Sequence, residues 1–248
     1  MGQVRKKRRE IGAVKQTIRV IFLFLAAVLL LLPSPVIPAD EAALAMRLQN
    51  CIRALSRIMS SPQSSIPQAL LQRATAVVIV PDLLKASFFF GGRYGKGVLM
   101  PRTGDGRWGN PVMVTLGGGS FGIQAGIQST DLVLVLRQGK KTADVPKGGI
   151  ILGADATIIA GVGGIQMDEN VSSDATLEVY SFSRSRGLSA GFSLQGMQLR
   201  LDDEETGNLY GKSGIRAADV LSKSVPVTQT VQVAKFKDSF LKVTGLTP

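Results

Sequence analysis

The chain has 248 residues, 45% of them hydrophobic, and 29 Lys and Arg against 18 Asp and Glu, a net charge of +11. It holds no histidine and one cysteine, Cys51, which removes the commonest general base, the commonest zinc ligand and any intrachain disulfide together. Seven cations and one acid fall in the first twenty residues, so the remainder carries 22 cations against 17 acids, a dispersed excess that excludes the concentrated basic stripe of a nucleic-acid groove.

The first element is apolar. A basic start, MGQVRKKRRE, leads to a thirteen-residue run from Val20 to Leu32, the length of a signal-peptide core and short of the ~20 residues that cross a bilayer. The spacing predicts a signal peptide over 1–39 cut after Ala39, with an uncleaved signal-anchor as the rival, because Ile37 stands where a small residue is preferred. Either way the body is expected to be exported, as a periplasmic or membrane-associated domain.

Segment 40–65 follows as an amphipathic helix and a linker. Leu44, Leu48, Cys51, Ile52, Leu55, Ile58 and Met59 recur at helical spacing, with Arg47, Arg53 and Arg57 between them. Such a helix either docks on its own domain with its arginines in water or lies in a membrane interface. Cys51 is expected to pack on it as a small hydrophobe. Pro67 then opens a short second helix, PQALLQRA.

From Ala76 the period changes to two. AVVIVP, ASFFFGG, GVLMP, PVMVTL, FGIQAGIQ, DLVLVL, GIILGADATIIAG, ATLEVYSFS and SAGFSLQGMQLRL are read as strands, each punctuated by Gly, Asp or Asn. GGRYGKG is read as a glycine hairpin that projects Arg93 and Lys96 from its tip, with Phe88 and Phe90 on one face and Phe89 on the other. RAADVLSK and a terminal segment through KFKDSFLKV are read as helices, although Val231 and Val233 also alternate as in a strand. The expected class is α+β, predominantly antiparallel β in a curled, barrel- or sandwich-like sheet, with an N-terminal amphipathic helix and short C-terminal helices.

Several motifs fail on spacing. GGGSFG satisfies the dinucleotide pattern but precedes an alternating strand instead of a helix, and GGRYGKG is one residue short of a P-loop, with Gly97 where Ser or Thr would hold magnesium. Asp202 to Glu205 are contiguous acids, unlike the alternating ligands of a calcium loop, and read as a solvated turn between strand and helix. Asp155 is expected to accept from nearby backbone amides. No catalytic, metal or cofactor-binding residues are assigned, and no enzyme activity is expected.

Across Ile66 to Gly211 the order of motifs resembles the SYLF lipid-binding domain family, also described as an actin-binding domain in yeast actin-patch regulators. IPQALLQRA, AVVIV, FFFGGRYGKGVLMPRTGDGRWGNPVMV, FGIQAGIQSTDLVLVL, LGADATIIAG, YSFSRSRGLSAGFSLQG and LYG carry the resemblance, with Trp108 and Pro111 in the family's G-x-W-x-x-P setting. It implies a SYLF-like domain over 66–248 with the helix 40–59 packed on it. It also implies membrane association, with phosphoinositide binding and actin bundling known in eukaryotic members. In some members an amphipathic N-terminal helix contributes to lipid binding, here Ala42 to Met59. After Ala160-Gly161 the family tends to continue with Pro and a nearby Arg, whereas this chain has VGGIQ, so no role of that arginine transfers.

With its export signal the chain looks like a stand-alone bacterial form. The expected partners are an anionic phospholipid or membrane surface and an envelope protein, with actin only in a eukaryotic context. The candidate lipid-binding residues are Arg47, Arg53, Arg57, Phe89, Arg93 and Lys96. The alternative function is a protein-interaction or scaffolding domain.

Overall fold

The computed structural model describes residues 39–61, 65–87, 90–121, 126–138, 149–160, 177–186, 194–223 and 226–246, all within one compact unit, Ala39–Pro248. The apolar segment before Ala39 lies outside the described residues. No helix among the described residues is long and apolar enough to cross a membrane.

Helix α1 (Ala39–Met59) and the short α2 (Gln68–Gln72) precede eight strands. These are β1 (Ala76–Ser87), β2 (Phe90–Pro101), β3 (Val112–Phe121), β4 (Gly126–Gln138), β5 (Ile150–Ile151), β6 (Thr157–Ala160), β7 (Leu177–Arg186) and β8 (Gln198–Leu201). Three helices close the chain: α3 (Asp203–Leu209), α4 (Ala217–Leu221) and α5 (Val231–Thr244). The sheet runs β5-β8-β3-β2-β1-β4-β7-β6, antiparallel except for the parallel pair β6 and β7.

The connection between the two outermost strands requires the sheet to curl. A flat sheet of eight strands would separate its edges by about 34 Å, at ~4.8 Å per strand. The six steps from Ile151 on β5 to Thr157 on β6 reach at most ~22 Å, and the bridge between Leu152 and Ala156 shortens them further. The stretch GIILGADATIIAG, read as one strand, therefore divides between opposite edges. Gly153, at φ +90°, makes the turn between them, and Asp155 accepts from the Ile151 N–H at 2.7 Å.

The central strands are buried on both faces, which explains their unbroken apolar runs. Val77 to Val80 on β1 and Leu132 to Leu136 on β4 are inaccessible to solvent. Helix α1 packs across β1, β4 and β2, and α5 packs beside α1. Cys51 sits in this layer and its thiol lies against the Ile79 carbonyl at 3.6 Å. Helix α5 is capped by the Thr230 side chain, which accepts from the Val233 N–H, and stops at Gly245, at φ +66°, so Val231 and Val233 belong to a helix.

Strand β2 corrects the hairpin reading. GGRYGKG lies inside the strand, so Arg93 and Lys96 are strand residues paired with Lys85 on β1 and Thr115 on β3. The glycines serve close approach instead of a turn. A bulge in β1 between Ile79 and Leu84, with Pro81 and Asp82 at φ +48°, presses on β2. A β-carbon on Gly97 would lie 2.1 Å from the Ile79 carbonyl oxygen, and one on Gly95 would lie 2.6 Å from the Val80 side chain.

Candidate functional site

Two of the three α1 arginines are held by carboxylates of the domain beneath. Arg47 pairs with Glu205, and Lys96 Nζ lies 2.5 Å from the other oxygen of the same carboxylate. Glu205 is placed by the start of α3. Asp202 caps that helix by accepting from the Glu205 N–H at 3.1 Å, and Asp203, Glu204 and Glu205 form its first turn. The run Asp202 to Glu205 is thus a helix N-terminus, where carboxylates meet free N–H groups and the positive end of the dipole, and not the solvated turn expected from its composition.

Arg57 makes the second tie. Its Nε donates to Asp131 Oδ2 at 2.7 Å, and Asp131 is fully buried. The other oxygen, Oδ1, accepts from the Asp82 N–H at 3.3 Å, so one carboxylate satisfies both the helix arginine and the β1 bulge. Arg184, the register partner of Asp131 on β7, donates to the Arg57 carbonyl at 3.3 Å near the end of α1. Arg53 differs: it is exposed, and its guanidinium reaches Asn50 one turn back on the same helix.

Arg93 and Lys85 stand directly opposite across β2 and β1 and are both half-buried. Desolvation lowers the Arg93 pKa from its ordinary value. Phe89 lies outside the described residues. One residue along from that pair, Leu84 and Tyr94 form an exposed cross-strand pair on the opposite face of the sheet. The six candidate residues therefore do not form one patch. Arg47 and Lys96 share Glu205, Arg57 belongs to Asp131, and Arg53 stands on the outer side of α1.

A groove of about 440 Å³ runs between α1 and α5. Leu48, Ile52 and Phe236 supply apolar lining, and Arg53 and Lys235 are its charged lining residues among those described. Gln232 donates to Glu41 at 2.6 Å, tying the first turns of the two helices together. Lys235 escaped the sequence reading because nothing in the terminal segment indicates that it packs beside α1. Asp131 and Glu205 escaped it as well, although an acid heading a wholly apolar strand, DLVLVL, signals that a cation must come to it.

No group of three or more His, Cys, Asp or Glu suited to a metal occurs among the described residues.

Comparison with known proteins adds a family to this geometry. The model described as Ysc84, Las17-binding protein actin regulator, matches residues 117–238, from β3 into α5. SH3 domain-containing YSC84-like protein 1 of Rattus norvegicus is 31% identical over 193 residues, covering 77% of this chain and 56% of that protein. The Homo sapiens protein of that name is 30% identical over 208 residues, covering 82% and 60%. LAS seventeen-binding protein 3 of Saccharomyces cerevisiae is 35% identical over 153 residues, covering 59% and 32%. The match thus spans little more than half the length of the animal relatives and about a third of the yeast one. No solved structure matches.

Proposed function

The chain is a member of the SYLF family, and from that premise we propose that it is a non-enzymatic membrane-binding module of the cell envelope, meeting anionic phospholipid through the outward side of α1 and α5. The α1–α5 groove carries this reading, since an apolar lining of Leu48, Ile52 and Phe236 is flanked by Arg53 and Lys235 without a lining carboxylate. Lys242, exposed near the end of α5, adds a third cation. At about 1 kcal/mol per cation near an anionic surface, these supply roughly 3 kcal/mol, enough for reversible association and too little for permanent anchoring. Arg47, Arg57 and Lys96 would reach lipid only by giving up Glu205 and Asp131, so their part is to hold the helix in place. The apolar N-terminal segment delivers the domain to the envelope.

Cosedimentation of the purified protein with vesicles tests the reading. Binding to phosphatidylglycerol vesicles that falls with salt, and little binding to phosphatidylcholine, is the expected result. Equal binding to both would overturn it.

A protein-interaction or scaffolding role is the second reading, favoured by the exposed Leu84 and Tyr94 pair. The family is described by Las17 binding and actin regulation, and the yeast relative is named for Las17 binding. On this chain an envelope protein, or actin in a eukaryotic setting, would meet that sheet surface. Crosslinking through Tyr94 to one protein, with no vesicle binding, would select this reading.

A further inference from the structure

A second cleft lies on the far side of α5, between that helix, α4 and the loop from Arg102 to Pro111, with a volume of about 460 Å³. That size suits a small-ligand or peptide-side-chain site. Its loop wall is rigidly built. Arg102 Nε donates to the Gly106 carbonyl at 2.7 Å, and its guanidinium lies 5.2 Å from the centre of the Trp108 ring. Trp108 packs edge-on against Phe240 of α5, ring centres 4.9 Å apart, and Asp105 is occupied by Arg107 and Thr103.

Two features of this wall call for a ligand. Trp108 is 5% exposed and borders the cleft, yet its Nε1–H has no acceptor. The nitrogen itself is closed to solvent, so an acceptor oxygen reaches it once the packing at the ring edge opens, and pairing it then removes the cost of a buried, unmade hydrogen bond. In addition, Lys223 and Lys237 line the cleft and neither makes a salt bridge among the described residues. Desolvation lowers the Lys237 pKa and Arg107 lowers it further, against Asp238, which raises it. An arriving carboxylate would relieve that strain on the charged amine.

We propose that this cleft is a peptide-binding site for an acidic segment of a protein partner, a side-chain carboxylate meeting Lys223 and Lys237 while a main-chain carbonyl accepts from Trp108. Leu221 and Leu241 offer the apolar wall for a neighbouring side chain. The mixture of donors and acceptors favours a peptide over a lipid tail. Asp238 faces the cleft, and a peptide N–H can donate to its carboxylate, whereas an acyl chain cannot. The site is separate from the α1–α5 groove and does not rest on membrane binding.

Trp108 is the sole tryptophan of the chain, so its indole signals report this cleft alone. Acetyl-Leu-Glu-Leu-amide, titrated to millimolar concentrations, should move the indole N–H resonance downfield with saturation. Lys237→Ala, folded as judged by the remaining amide spectrum, should weaken that response by about 5-fold, the loss of one partly exposed ion pair. Lys223→Ala should weaken it in the same direction. The counterpart acetyl-Leu-Lys-Leu-amide should leave the resonance in place. Equal responses to both peptides, a response to decanoate alone, or no movement with any probe would overturn the proposal.

Discussion

Arg57 and Asp131 join the end of α1 to the fourth strand through a 2.7 Å ion pair whose two members are unequally buried: the carboxylate is wholly enclosed, while the arginine side chain is about a third exposed. Removing Arg57 takes the paired cation from a carboxylate that stays in the interior, where the Asp82 N–H still donates to it. Removing Asp131 leaves a cation that can turn to water. Arg57→Ala is therefore expected to cost more, about 3 to 5 kcal/mol, and Asp131→Ala about 2 kcal/mol. Urea unfolding of both variants gives the order, and equal losses would contradict it.

The β1 bulge makes a second contrast available. Gly97→Ala drives a β-carbon to 2.1 Å from the Ile79 carbonyl and should cost about 3 kcal/mol, at the upper end for overpacking. Gly92→Ala, on the same strand with nothing within 4 Å of the added carbon, should be neutral or stabilise by about 0.5 kcal/mol. Denaturant midpoints of the pair measure this.

On vesicles, Arg53→Gln combined with Lys235→Gln should weaken binding by about 2 kcal/mol, roughly 30-fold, without changing the unfolding midpoint. Arg47→Gln should act oppositely, lowering stability because Glu205 loses a partner while lipid binding is little altered. Cosedimentation alongside thermal unfolding separates the two effects. A large binding loss from Arg47→Gln in a stable protein would reassign the lipid contact to the paired cations.

Burial pushes the Cys51 thiol up to about 12, from an ordinary value near 8.5. In the unfolded chain the thiol ionises from about pH 8.5 upward, while the folded protein keeps its proton. Stability should accordingly fall as pH rises from about 8.5 towards 12, by up to ~1.4 kcal/mol per pH unit. Tyr210, also raised by burial and donating to the Pro111 carbonyl at 2.6 Å, adds a loss of the same sign at higher pH. Cys51→Ala should flatten the earlier part of that decline. In the native protein iodoacetamide should leave the thiol unmodified until unfolding.

The fold class was largely legible because it rests on local periodicity. The apolar stripe of α1 is buried as its spacing indicated, and the runs at 76–80 and 132–136 are the centre of the sheet. What escaped was set by contacts distant in sequence. The glycines at 95 and 97 look like a turn until the β1 bulge, some fifteen residues earlier, is laid against them. Arg47 looks solvated until Glu205 arrives from the other end of the chain. Composition signals that a charge needs a partner, whereas only the tertiary arrangement says which one. Trp108 was visible as part of a family motif, but its unpaired indole was not, since satisfaction of a donor is a property of the surroundings.

The short span from Ile151 to Thr157 also bears on the edges of the sheet. The two outer strands, two and four residues long, are drawn towards each other by five intervening residues. Each of these two strands therefore offers only a short row of hydrogen-bonding groups for another chain to extend. Strand addition, the usual route by which β-rich domains recruit peptides or stick to copies of themselves, finds only short templates on these two strands.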